Sequence, residues 1–169
     1  MKIRLAGRTF NSMVNGRGLR YVLFAQGCRH NCKGCFSTFT HDFNGGEEFT
    51  TDEIIKEILE DPITSGVTFS GGDPFEQPMA FAEIASAIRS KSKKNIWCYT
   101  GYTFEEIKDG IEKDRFDWAI LLSQIDVLVD GKFEMDKCID GLRFKGSSNQ
   151  RIINVSKTFA KTKIVEEVI

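Results

Sequence analysis

Cys28, Cys32 and Cys35 fall within eight residues, in the run Gly27-Cys28-Arg29-His30-Asn31-Cys32-Lys33-Gly34-Cys35. Thiolates are the ligands of iron-sulfur clusters, and this C-x3-C-x2-C spacing in one stretch of chain reads as a site for such a cluster. Three thiolates cannot saturate a cubane of four irons, and an open metal position is where chemistry rather than structure is done. The candidate metal ligands are therefore Cys28, Cys32 and Cys35. His30 lies among them and His41 a little beyond, so a Cys₃His zinc site in a small binding module is the rival reading. Structural zinc sites usually pair their ligands in two separated knuckles, and a single turn of loop would crowd a tetrahedron. The remaining thiols, Cys98 in an apolar run and Cys138 in a charged one, read as a buried small residue and an incidental thiol.

A second loop, Gly71-Gly72-Asp73-Pro74, carries a weaker signal. Glycines let a backbone come close to a ligand and offer its carbonyl and N–H groups, and a carboxylate beside them suits a cationic amine. By itself the sequence is more often a tight turn between strand and helix than a site, and only the company of the cysteine loop raises it. Two histidines and no recognisable nucleophile–base pair leave no candidate for general acid–base or nucleophilic catalysis, so no catalytic side chain is assigned.

The elements that must position these loops alternate between strand-like and helix-like runs, the mark of an α/β fold with a mostly parallel sheet. Leu19 to Gln26 is an apolar run of strand length leading straight into the cysteines, long enough to be buried on both faces. Thr50-Thr51-Asp52-Glu53 is a capping box opening a helix that carries Ile54, Ile55, Ile58 and Leu59 and ends near Asp61-Pro62. Gly66 to Ser70 is a strand ahead of the glycine loop, followed by a helical stripe of Phe81, Ile84, Ala85 and Ile88. Asn95 to Tyr99 is a third strand, Thr103 caps a helix with Ile107 and Ile111, and Ile125 to Val129 is a fourth strand. Leu142 to Phe144 and Arg151 to Val155 are candidates for later ones. Phe69, Phe81 and Phe104 read as core. In such folds the loops after the strand C-terminal ends meet at one rim, which places the cysteine and glycine loops side by side.

Composition sets the limits. The 169 residues, 41% of them apolar, suffice for one domain with a core that needs no staples. A net charge of −1 with both signs interspersed gives no basic field for nucleic acid. No long apolar run suggests a membrane span, and an odd number of cysteines with three crowded together suits a reducing compartment, so a cytoplasmic protein is expected.

The chain resembles the radical S-adenosylmethionine enzymes, and among them the activating proteins of anaerobic (class III) ribonucleoside-triphosphate reductases. The resemblance spans roughly residues 10 to 153. It is carried by Asn15-Gly16, Leu23-Phe24 before Gly27-Cys28, the cysteine triad, and Ser70-Gly71-Gly72-Asp73-Pro74. It continues through Trp97, Tyr99-Thr100-Gly101-Tyr102, Asp126 to Phe133, Arg143, and Gly146-Ser147-Ser148-Asn149-Gln150-Arg151.

It implies a single-domain partial (β/α) barrel over residues 1–169, with 155–169 a C-terminal extension that could be an added strand or a loose tail. It implies a 4Fe-4S cluster on the three cysteines and S-adenosylmethionine as cofactors, with Gly71, Gly72 and Asp73 receiving the methionine amino group. Gly34, Cys35 and Phe36 would lie against the adenosyl part, with Phe36 standing where many relatives carry Tyr. The implied reaction is reductive cleavage of S-adenosylmethionine to a radical that removes a hydrogen atom from a glycine of the large reductase subunit. Reduced flavodoxin or ferredoxin would be the donor, and the loops Gly101–Phe104 and Gly146–Gln150 would admit the glycine segment. An activating enzyme for another glycyl radical enzyme, such as pyruvate formate-lyase, is the alternative within the same chemistry, and a deazaguanine-forming synthase a more distant one.

Overall fold

The computed structural model describes residues 1–169. One seven-stranded sheet organises the chain: β1 (Lys2–Ser12), β2 (Arg20–Ala25), β3 (Glu47–Thr50), β4 (Gly66–Gly71), β5 (Asn95–Tyr99), β6 (Val127–Asp130) and β7 (Arg151–Asn154). Their spatial order is β3-β1-β2-β4-β5-β6-β7. The central run β2, β4, β5 and β6 is parallel, whereas β1 pairs antiparallel with both β2 and β3, and β7 antiparallel with β6. The sheet is thus mixed: its parallel centre matches the expectation, and both flanks depart from it. Five helices complete the α/β fold: α1 (Thr51–Glu60), α2 (Pro78–Lys91), α3 (Phe104–Glu112), α4 (Phe116–Leu122) and α5 (Val155–Lys161).

The helices form where the caps and stripes place them. At α1 the Thr50 hydroxyl accepts from the Glu53 N–H while the Glu53 carboxylate accepts from the Thr50 N–H, and Thr103 with Glu106 does the same at α3. Each box satisfies donors that a helix start otherwise leaves open. Ile54, Ile58, Phe81, Ile84, Ala85, Ile88 and Ile107 turn inward and join Tyr21, Leu23, Phe69, Ile96, Cys98 and Leu128 from the sheet in one apolar cluster. Alternate strand residues face the other way: Trp97, Val127, Val129 and Ile152 form a smaller cluster closed by Tyr99 and Phe144. That second face is covered by irregular chain. Asn15 O accepts from Thr68 Oγ1 at 2.8 Å, and Phe144 O from the Tyr99 hydroxyl at 2.9 Å.

Three elements correct the reading of the sequence. The first ten residues, uninformative as sequence, form most of the longest strand: Ile3 and Leu5 point into the core, but a register shift between Leu5 and Gly7 breaks the alternation that would have revealed it. Leu142–Phe144 is not a strand; it caps the second face, with Phe144 in the left-handed region at φ 59°. Residues beyond Asn154 are not a loose tail: they begin with α5, capped by Asn154 through the Lys157 N–H, and then return as a short extended stretch in which Glu166 bridges antiparallel to Ile153. No helix is long and apolar enough to cross a membrane.

Two substitutions test this packing by urea unfolding. Thr50→Ala should cost about 1 kcal/mol through the lost cap, and Phe69→Ala about 3–5 kcal/mol through the cavity it leaves.

Candidate cluster site

The parallel centre brings the loops together. β2 and β4 pair so that Ala25 lies opposite Gly71, and both chains leave the sheet at the same edge. Gly72 N then donates to Ala25 O at 2.8 Å and Asp73 N to Gly27 O at 2.9 Å, stitching the glycine loop to the start of the cysteine loop. The cysteine loop also closes on itself: Gly27 N bonds Thr40 O, Cys28 N bonds His41 O, and the buried Gln26 amide donates to Phe39 O and Asp42 O.

A cavity of about 220 Å³ opens at this edge, and all three cysteines line it. Ser70, Gly71 and Gly72 from the end of β4 share its wall, with Tyr99, Thr100 and Gly101 from β5 and Gly131 from β6. The three thiols are unpaired, and the Ser37 N–H donates to the Cys35 sulfur at 3.4 Å. Burial pushes the Cys28 thiol up to about 11 and raises that of Cys32 as well. Three thiols lining one partly desolvated cavity are the donor type that an iron-sulfur cluster takes, while no three Cys, His, Asp or Glu side chains stand close enough together, as the loop is folded here, to form a ready-made metal-holding group.

Other expected contacts divide. Cys35 and Phe36 line the cavity, and Phe36 is largely exposed with its ring 4.9 Å from that of Phe133. Gly34 does not; its φ of +73° and the Met135 sulfur, 2.6 Å from where a Cβ would sit, explain the glycine. The bare faces of Gly71 and Gly72 are likewise spent on the protein. A Cβ on Gly71 would meet the backbone of Phe24 and Ala25 at 2.6 Å, and one on Gly72 the Gly27 carbonyl oxygen at 2.4 Å.

Asp73 is fully buried, is not among the cavity's lining residues, and bonds His30 Nε2 at 2.6 Å. Cys98 is buried in the core, where burial raises its thiol well above the usual range, and Cys138 is exposed; neither lines the cavity. Sequence reasoning missed Thr100, Gly131 and Phe133 as wall residues, because only strand order brings them to the same edge.

Fold and cavity together define an α/β protein built around a cysteine-lined site at the end of a parallel sheet. Residues 14–153 match the family described as a 4Fe-4S single cluster domain. A protein of Vibrio cholerae named anaerobic ribonucleoside-triphosphate reductase-activating protein is 39% identical over 147 residues, covering 83% of this chain and 90% of that one. Proteins of the same name from Enterobacteria phage T4 and Escherichia coli are each 36% identical over 145 residues, covering 82% of this chain and 86% and 90% of theirs. The chain belongs to the family of anaerobic ribonucleoside-triphosphate reductase-activating proteins, within the 4Fe-4S single cluster domains.

Gly72→Ala should force the two loops apart, lowering stability by about 1–3 kcal/mol and reducing the iron and sulfide bound per chain after anaerobic reconstitution. Cys98→Ala should leave the bound iron unchanged. Full iron binding by the first variant, or loss by the second, contradicts the geometry described.

Proposed function

We propose that this chain is the activating enzyme of an anaerobic ribonucleoside-triphosphate reductase, acting through a 4Fe-4S cluster and S-adenosylmethionine. The observation that carries this is that three free cysteines and Ser70–Gly72 line one cavity, in a chain 36–39% identical to relatives bearing that name. Cys28, Cys32 and Cys35 would hold the cluster, and with only three thiolates it would keep one iron open for S-adenosylmethionine. When bound, the reduced cluster supplies the electron that splits the carbon–sulfur bond, yielding methionine and the radical that takes a hydrogen atom from a glycine of the large reductase subunit.

The protein's own part is to bind, orient and exclude water. Backbone groups of Ser70, Gly71 and Gly72, which line the cavity, receive the methionine amine. The exposed Phe36 ring, braced by Phe133, offers an apolar surface for the adenosyl part and needs no phenolic hydroxyl to do so. Gly101, Gly146 and Gln150 stand at the cavity wall, where the glycine-bearing segment of the partner enters. No side chain acts as a general acid or base, since the cofactors carry the difficult step.

The whole chain, 1–169, works as one radical S-adenosylmethionine domain, its four parallel strands forming the partial barrel and β1, β3 and β7 its added flanks. Reduced flavodoxin or ferredoxin delivers the electron in the cytoplasm, where the five free thiols stay reduced.

The test is anaerobic. Reconstituted, reduced protein mixed with S-adenosylmethionine should release 5′-deoxyadenosine and, with the reductase subunit present, produce a glycyl radical visible by electron paramagnetic resonance. Cys32→Ala should abolish both. Truncating the partner's glycine segment should abolish the radical. A colourless, redox-silent metal site in the wild-type protein would refute the proposal.

A further inference from the structure

A carboxylate next to the glycine loop invites assignment as the receptor for a ligand amine, but the hydrogen bonds of Asp73 leave it no capacity for one. Its side chain is fully buried. Oδ1 accepts from the Phe75 N–H at 2.9 Å, and the Thr100 hydroxyl reaches both oxygens at 3.0 and 2.8 Å. Oδ2 also accepts from the Gly101 N–H at 3.0 Å and from His30 Nε2 at 2.6 Å. Four donor groups meet the roughly four lone-pair sites that a carboxylate possesses. A ligand ammonium would have to displace one of them from a site with no exposed surface.

These bonds join the loops after three parallel strands. His30 stands between Cys28 and Cys32 in the loop after β2, Asp73 follows β4, and Thr100 and Gly101 follow β5. The His30 side chain is only 6% exposed, its ring packs edge-on against Tyr102 at 4.4 Å, and Gly101 makes room for it. A Cβ on Gly101 would lie 2.4 Å from His30 Cδ2. With the ring held on these sides, the His30 backbone is held too, and with it the stretch of loop between Cys28 and Cys32.

We propose that His30 and Asp73 are a positioning pair for the cluster: Asp73 locks the His30 ring, and the locked residue keeps the first two ligands, Cys28 and Cys32, at their spacing. The proposal rests on the cluster reading above and concerns how tightly the cluster is held.

The experiment compares reconstituted wild type with His30→Leu, His30→Gln, Asp73→Asn and the His30→Leu/Asp73→Asn double variant. Each is measured for the rate of iron loss to a chelator and for S-adenosylmethionine affinity per loaded cluster. His30→Leu and Asp73→Asn should each lose iron roughly ten-fold faster, in the range seen when residues supporting a metal ligand are removed. The double variant should be no worse than the worse single one, because the two residues act as a unit. His30→Gln, which restores a donor toward Asp73, should recover most of the retention.

Additive losses would overturn the proposal. So would an Asp73→Asn protein with wild-type iron retention but affinity for S-adenosylmethionine weakened ten-fold, since that identifies an amine receptor. Should His30→Leu not fold, His30→Asn, whose amide falls short of Asp73, takes its place against His30→Gln. A wild-type protein that holds no cluster defeats the functional reading instead, and is recognised before any variant is compared.

Discussion

The register of β2 against β4 is the constraint on which the site depends. With Ala25 opposite Gly71, the chain must turn out of two adjacent parallel strands at the same height, and there is space for only one backbone between them. The structure resolves the crowding by removing side chains. Gly71 lies against the backbone of Phe24 and Ala25, and Gly72 against the carbonyl of Gly27, so the two loops run in contact and exchange hydrogen bonds. The cysteines are presented to the cavity because the first residues of their loop are clamped in this way. The glycine loop is therefore scaffold as well as wall: its Cβ-less faces serve the protein, and what remains for a ligand is backbone.

The same logic recurs one strand further along. Asp130, at the end of β6, is 1% exposed and accepts from the Phe104 N–H at 2.8 Å. It therefore pins the start of α3 much as Asp73 pins the loop after β5. The two buried carboxylates differ in their compensation. Asp130 is paired with the Arg151 guanidinium, which also reaches Glu105, and that Arg is held well above its ordinary range by the Asp130 hydrogen bond first and the Glu105 bond second. Asp73 has no Lys or Arg in contact and is satisfied by amides, a hydroxyl and an imidazole. Buried charge is tolerable only when its lone pairs are met. Here the requirement is met by donors from three separate loops, which turns a cost of burial into a connection among them.

Much of the centre was legible in the sequence, for physical reasons that can be named. Thr50-Thr51-Asp52-Glu53 and Thr103-Phe104-Glu105-Glu106 announce helices because a capping box is local chemistry, complete within four residues. Strands buried on both faces, such as Tyr21–Ala25 and Ile96–Tyr99, read as apolar runs. The flanks were not legible. β3 reads Glu-Glu-Phe-Thr and is held as an edge strand by pairing with Lys2–Leu5 and by the contact of Lys2 with Glu48. That is a partnership no local window contains. The three cysteines were legible by type and spacing as residues of one site, and all three line the cavity, whereas Thr100, Gly131 and Phe133 came to it through tertiary arrangement alone.

Asp73 shows where reading by residue type misleads. In sequence it is an acid beside two glycines, and the nearest chemistry is a salt bridge to a ligand amine. In the fold it accepts from Phe75, Thr100, Gly101 and His30, and it does not line the cavity. The distinction follows from saturation: a carboxylate with open lone pairs in a cavity is a receptor, while one whose acceptor sites are filled from within is a fastener. His30 meets it through Nε2, and that bond ties the cysteine loop to the glycine loop. The cavity itself is walled by sulfur, backbone and rings such as Phe36 and Phe133, while the one charged residue of the glycine loop is buried outside its lining, where it joins the loops that form the wall.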